Sequence, residues 1–457
     1  MAPHNPYLNA RTSFRPSWKR YSYRPNRRLG QPRQQSVKAP ILKFAVAAIF
    51  VMGLFLLVFF LPKSERRILS LKKSQTPVEK PIRLTKDDVR VVLSGHSLTN
   101  LTDNRLFFDY EGYMYGFETS IDNDLQGFLI SKLNRVNARA IGLVALDPAS
   151  GRILAMVSHA KDKPGLNTCV TSQFPAASIF KIVTAAAAID TKGLSAQAPM
   201  LYNGGKHTLY RSQLKKTLNK YTRHINLKKA FADSINPVFG KLGVHLLKDA
   251  LLGQYAQAFR FNRTIGLEIK MTKSRIDIPE KSYGWAEIAS GFNNDTTISP
   301  LHGALMAAAV INQGQMAEPT IIDKITNENQ DILYQNGVIL AGRAFLPSTA
   351  DVLKELMAET IKTGTARNAF RGYKKDAILS KLNLGGKTGS IDNDNHEIRY
   401  DWFVGFGQNP NSGFQIAVAA LVAHEKFIGT RAGTYARLAI KQFFRKHAGL
   451  ESAKKNK

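Results

Sequence analysis

Phe44 to Leu61 is an unbroken apolar run of eighteen residues, closed by Pro62-Lys63. Eighteen is about the minimum for a helix that crosses a bilayer, so residues 44–61 are predicted to form a transmembrane helix. Beyond it the pattern changes period several times. Residues 62–85 are polar and basic, carry Pro77 and Pro81, and read as a linker. Two strand-like pieces follow, Val89–Leu93 and Leu106–Tyr110, so residues 62–117 are expected to be linker plus a small pedestal. From 118 to 449 the chain reads as one globular domain, with 450–457 a basic tail.

Within that domain, Ala140–Asp147, the turn Pro148-Ala149-Ser150-Gly151 and Arg152–Val157 make a hairpin. Apolar helical patterns run from Ser178 to Ala188 and from Leu301 to Asn312. A third has apolar positions at Val352-Leu353, Leu356-Met357 and Ile361, with Gly364 as its C-cap. Asp401–Phe406 and Gln415–Val422 are strand-like, in a meander that begins with Lys387 after Leu384-Gly385-Gly386, and Tyr435–Lys446 is helical. A hairpin, a helical middle and a closing strand meander predict an α/β (α+β) fold, a sheet sandwiched by helices. No internal repeat is visible.

Charge settles the topology of the amino terminus. Residues 1–43 contain ten Lys or Arg and no Asp or Glu, among scattered Pro, Ser, Asn and Gln. That composition predicts a disordered basic tail. The positive-inside rule keeps it cytoplasmic and sends residues 62–457 to the other side of the membrane. A cleavable signal peptide is the competing reading. Its basic region is shorter than 43 residues, however, and no small-x-small cleavage site follows Leu61. Cys169 is the chain's one cysteine, so no internal disulfide is available and no lipid-bearing cysteine lies near the span. With a net charge of +30, an exported domain suggests anionic surroundings such as lipid headgroups or wall polymers. Nucleic acid is the other partner of basic chains, and a membrane anchor argues against it.

Three short motifs carry the chemistry: Ser178-Ile179-Phe180-Lys181, Ser234-Ile235-Asn236 and Lys387-Thr388-Gly389-Ser390. Each alone is weak. Ser-x-x-Lys occurs five times, starting at Ser70, Ser158, Ser178, Ser212 and Ser452. Only Ser178 opens an apolar helical stretch, which places Lys181 on the same face one turn on. A helix N-terminus also offers free N–H groups to developing negative charge. Lys-Thr-Gly occurs at Lys362, which closes a helical pattern, and at Lys387, which precedes two strands. Ser-x-Asn occurs once. A serine with a base one turn away, a second hydroxyl with an amide, and a cationic strand are the parts needed to acylate a serine without histidine or metal. No His-Glu-x-x-His supports a zinc hydrolase and no Gly-x-Ser-x-Gly surrounds Ser178. No metal and no cofactor are expected.

In this order the motifs resemble those of penicillin-binding proteins and class A β-lactamases. Residues 118–449 resemble the penicillin-binding transpeptidase domain. Thr119-Ser120-Ile121-Asp122 resembles that domain's opening, and Ala145–Gly151 with Ala155–Ser158 its first hairpin. Ser299-Pro300-Leu301, Gly364-Thr365-Ala366 and Trp402-Phe403-Val404-Gly405 resemble its later signposts. The resemblance implies a five-stranded antiparallel sheet between helical layers and a D,D-transpeptidase that cross-links peptidoglycan. It implies Ser178 as nucleophile toward D-Ala-D-Ala stem peptides, Lys181 as its base, Ser234 as proton relay and Lys387 as the cation holding Ser234. Asn236 would bind the donor amide, and Thr388 and Ser390 the terminal carboxylate. Backbone N–H groups of Ser178 and Ser390 would form an oxyanion hole, with Gly389 between the two hydroxyls on a strand edge open to an extended peptide. β-Lactams are the implied inhibitors and a separate glycan polymerase an implied partner. Residues 62–117 are too short for a glycosyltransferase, so a bifunctional enzyme is not expected. Ser390 departs from the family's commoner Thr but keeps hydroxyl and N–H. A D,D-carboxypeptidase, a β-lactamase with Glu287 as deacylating base, and a non-enzymatic sensor or scaffold remain open alternatives.

Overall fold

The computed structural model describes residues 83–455, apart from 97 and 111; the predicted tail and transmembrane helix lie outside the described residues. No helix among the described residues is long and apolar enough to cross a membrane.

The main sheet has five antiparallel strands: β3 (Ala138–Leu146), β4 (Ile153–Ala160), β7 (Asn383–Asp392), β8 (Arg399–Gln408) and β9 (Gln415–His424), in the order β7-β8-β9-β3-β4. Side chains of a strand alternate between faces, and here both faces are buried. In β3, Ile141, Leu143 and Ala145 join one core while Val144 and Leu146 join the other. In β8, Trp402, Val404 and Phe406 share the core of Val144 and Leu146, and Phe403 shares that of Ile141 and Leu143. Two-sided burial is why these strands read as continuous apolar runs. One face is covered by α8 (Pro300–Ile311), whose every residue is buried, and by α9 (Pro347–Lys362), against which α3 (Lys181–Lys192) packs; the other is covered by α2 (Asn123–Ser131) and α10 (Ala432–Lys455).

Three expectations are corrected. Lys86–Val92, read in part as a strand, is helix α1. Thr85 accepts from the Asp88 N–H and the Asp88 carboxylate accepts from the Thr85 N–H, a capping box that outweighs the β-branched valines. The division at residue 118 falls inside a strand: β2 (Tyr113–Thr119) pairs with β1 (Arg105–Tyr110) and with β5 (Ile322–Thr326), which pairs with β6 (Ile332–Gln335). The expected pedestal is thus half of a four-stranded sheet completed from the middle of the chain. At the other end, helix α10 continues to Lys455, through most of the expected tail.

Candidate active site

The turn that carries Ser178 is built by close packing. Ala177–Phe180 is a 3₁₀ turn leading into α3, and Ala177 holds φ = 48°, a left-handed conformation costly for a residue with a Cβ. Gly291, also left-handed, lies across from it; a Cβ there would sit 1.9 Å from the Ala177 carbonyl oxygen. Gly389 approaches from strand β7, where a Cβ would come within 3.3 Å of Ala177 and Ile179. Two glycines therefore let a helix end and a strand close on Ser178 from two sides.

Lys181 begins α3 and is fully buried. Its Nζ lies 2.8 Å from Ser178 Oγ, 2.7 Å from Asn236 Oδ1 and 2.5 Å from the Ser290 carbonyl oxygen. No carboxylate is within ion-pair distance of it among the described residues. Burial, reinforced by the charge of Lys387, holds Lys181 well below the ordinary lysine range. Lys387 is buried on β7, donates to Ser234 Oγ at 3.0 Å and to the Thr388 carbonyl at 2.8 Å, and is pushed down to about 7 by burial. Ser234 sits at φ = 55° between the short helix α4 (Leu227–Ala232) and α5 (Asn236–Lys241), so its hydroxyl leaves both helices and faces the lysines.

The three motifs thus converge. Ser178, Ser234, Asn236, Thr388 and Ser390 line one cleft of about 700 Å³. Among the described residues strand β7 pairs only with β8 in its sheet, leaving its other edge beside the cleft. Thr388 Oγ1 and Thr365 Oγ1 are hydrogen-bonded at 2.5 Å, either hydroxyl able to donate, and Ser390 Oγ donates to Asp401 Oδ1 at 3.4 Å. The Asn236 amide is occupied: its Nδ2 donates to the His207 carbonyl at 2.9 Å.

The second Lys-Thr-Gly copy lies at the end of α9, with Lys362 its last residue. Gly364 is a correction: the cap is Thr363, and Gly364 is not left-handed. A Cβ there would stand 2.3 Å from the Ala232 carbonyl oxygen, so the glycine serves close approach, bringing Thr365 to Thr388. Sequence reasoning missed His207, which lines the cleft, and Asp401, which holds Ser390 and caps α10 through the Ala432 N–H at 2.9 Å. Neither stands in a motif. The Asp401 register opposite Ser390 follows only from the β7–β8 pairing.

A sequence profile of the penicillin binding protein transpeptidase domain matches residues 141–445, so the chain belongs to that family. Among curated relatives it is 24% identical over 335 residues to stage V sporulation protein D of Bacillus subtilis, covering 66% of this chain and 48% of that one. It is 25% identical over 324 residues to the peptidoglycan D,D-transpeptidase PbpA of Mycobacterium tuberculosis, covering 61% of each. The chain thus spans about half to three-fifths of these relatives' lengths. The solved M. tuberculosis penicillin-binding protein A, described as a penicillin G acyl-enzyme complex, superposes with a TM-score of 0.57 at 22% identity, covering 72% of this chain and 80% of that one.

Proposed function

We propose that this protein is a peptidoglycan D,D-transpeptidase that works through a serine acyl-enzyme. The observation that carries the reading is the 2.8 Å contact between Lys181 Nζ and Ser178 Oγ inside a buried, carboxylate-free shell. A lysine with its pKa held down is a neutral amine able to take the Ser178 proton. Ser178 Oγ then attacks the carbonyl carbon of the D-Ala-D-Ala bond. Ser234, held by Lys387, relays that proton from Lys181 to the departing D-alanine nitrogen, so that both Lys181 and Ser234 end the step as they began it. Thr388 and Ser390 receive the terminal carboxylate, with the Lys387 charge behind them, and the backbone N–H groups of Ser178 and Ser390 receive the oxyanion. Asn236 must release the His207 carbonyl to donate to the donor amide. An amine of a neighbouring stem peptide then attacks the ester and frees Ser178. β-Lactams stop at the ester, and the M. tuberculosis relative's acyl-enzyme complex supports that expectation.

The β-lactamase alternative would use Glu287 to activate water at the ester. Glu287 does not line the cleft; Asp392 is held by Arg399 at 2.9 Å and Asp401 by the Ala432 N–H. This speaks against the Glu287 route to hydrolysis. Residues 44–61 are read as the membrane anchor, residues 1–43 as cytoplasmic and the catalytic domain as exported, acting beside a separate glycan polymerase.

The test is Ser178→Ala. Labelled penicillin should attach to the unaltered protein and not to this variant, with thermal melting showing that both are folded. Persistent labelling mapped to Ser158 or Ser212 would overturn the assignment.

A further inference from the structure

Between Asp190 and Asp233 the chain has nine Lys or Arg and no Asp or Glu. The middle of this stretch is a loop carried by a two-stranded hairpin, Pro199–Tyr202 paired with Arg223–Asn226. It is a built loop. Gln213 is buried, with its Nε2 donating to the Asn203 carbonyl at 2.9 Å and Thr208 Oγ1 at 3.0 Å, and its Oε1 accepting from the Tyr210 N–H at 2.8 Å. Leu209 and Leu214 pack on Ala286, and a Cβ on Gly240 would meet both leucines within 2.9 Å. Lys206, Lys228 and Lys229 are neutralised by Asp233 and Glu355. Lys215, Lys216, Lys220 and Arg223 are exposed and make no ion pair among the described residues. Leu218 and Tyr221 stand among them in the chain and Tyr210 precedes them, exposed by 65%, 70% and 62%.

The loop's base is also the wall of the cleft. The Asn236 N–H donates to the Lys206 carbonyl at 2.7 Å and the Asn236 side chain donates to the His207 carbonyl. The loop that carries the cationic and aromatic surface is therefore tied at its base, through Lys206 and His207, to the residue expected to hold the donor peptide.

We propose that this loop is a docking surface for the glycan–peptide polymer itself, outside the reacting bond. Resting on the proposed function, the occupant is a strand whose stem-peptide carboxylates meet Lys215, Lys216, Lys220 and Arg223 while its sugar rings lie on Tyr210 and Tyr221. Charge complementarity and continuity with the cleft select this partner. A surface that holds the strand next to the cleft raises the local concentration of the stem peptides the serine must find.

The experiment sediments the full chain, in neutral detergent, with purified peptidoglycan sacculi. Replacing the three lysines together, Lys215→Glu, Lys216→Glu and Lys220→Glu, should lower retention about tenfold, and the three Lys→Arg changes should keep it. Blocking the sacculus carboxylates with an amine should abolish the difference. Penicillin labelling of Ser178 should be unchanged in both variants; if the Glu variant fails to label, the Lys→Gln set replaces it. Equal retention of charge-reversed and unaltered protein overturns the docking surface. So does a loss seen only on phosphatidylglycerol vesicles relative to phosphatidylcholine ones, which would assign the loop to a lipid surface. Absence of labelling in the unaltered protein would instead sink the proposed function, whatever the sacculi show.

Discussion

Lys387 shows how one side chain can serve a site at the expense of the fold. It lies in the interior with a hydroxyl and a carbonyl as partners and no carboxylate. Its folded pKa of about 7 lies below the ordinary 10.5, so between those values the unfolded chain binds more protons than the folded one. Stability must therefore rise with pH across that window and fall as pH drops toward 7. Lys387→Met, similar in size, should flatten that rise and raise the melting temperature at neutral pH, while acylation by a β-lactam collapses. An unchanged slope of melting temperature against pH would show that the lysine is not buried as described. Lys362→Ala is the control at the other Lys-Thr-Gly copy. There a cation complements a helix C-terminus, worth about 0.3–1 kcal/mol, and acylation should stay near normal. Comparable losses in acylation from Lys387→Ala and Lys362→Ala would mean that the wrong strand has been given the active-site role.

At the level of elements, the site depends on glycines that let backbones touch. Gly291→Ala puts a methyl group 1.9 Å from the Ala177 oxygen in a backbone conformation that disfavours it. Its expected effect is displacement of the Ser178 turn, with acylation falling by about 10²-fold or more, as small misplacements of reacting groups cost. Ala177→Gly should do the reverse for stability, relieving a strain of about 1–3 kcal/mol against the added freedom of the unfolded chain. Melting curves and β-lactam acylation rates check both, and a neutral Gly291→Ala would remove the close-approach argument. These contacts mark where sequence reading stopped. The Ser178 helix, the hairpin at 138–160 and the β7–β8–β9 meander were legible because their apolar periods are local. The placement of Lys387 on a strand and of Lys362 at a helix end was legible because a helix pattern precedes one and strands follow the other. The α1 capping box was equally local, yet the run of valines around it suggested a strand. Asp401, His207 and the role of Gly364 depend on partners 11, 29 and 132 positions away along the chain, and no local pattern announces them.

For the molecule as a whole, the residues before the motif-bearing region behave as part of the same folding unit. Val89, Leu93, Leu98 and Phe117 belong to the core that also contains Ile179, Phe180 and Trp402. Lys86 Nζ donates to the Pro319 carbonyl at 2.7 Å and lies 3.6 Å from the buried Glu268, while Arg90 Nε donates to the Leu267 carbonyl at 2.8 Å. Strand β2 is an inner strand of its sheet, so removing it would bare the edge of β5 and expose Ile325 and Ile322. An unpaired edge of that kind is a template for aggregation. A chain beginning at residue 83 should therefore fold and be acylated by penicillin at the rate of the full protein. One beginning at residue 120 should lose several kcal/mol of stability, of the order of about 2–5 kcal/mol for each large core side chain removed, and aggregate. The comparison needs only melting curves and penicillin labelling of the two truncations. Equal stability of both would restore the boundary at residue 118 and reduce the four-stranded sheet to a detachable pedestal. It would also remove the reason for treating residues 83–117 as a support for the wall of the site, since the same core runs from Val89 to the turn that carries Ser178.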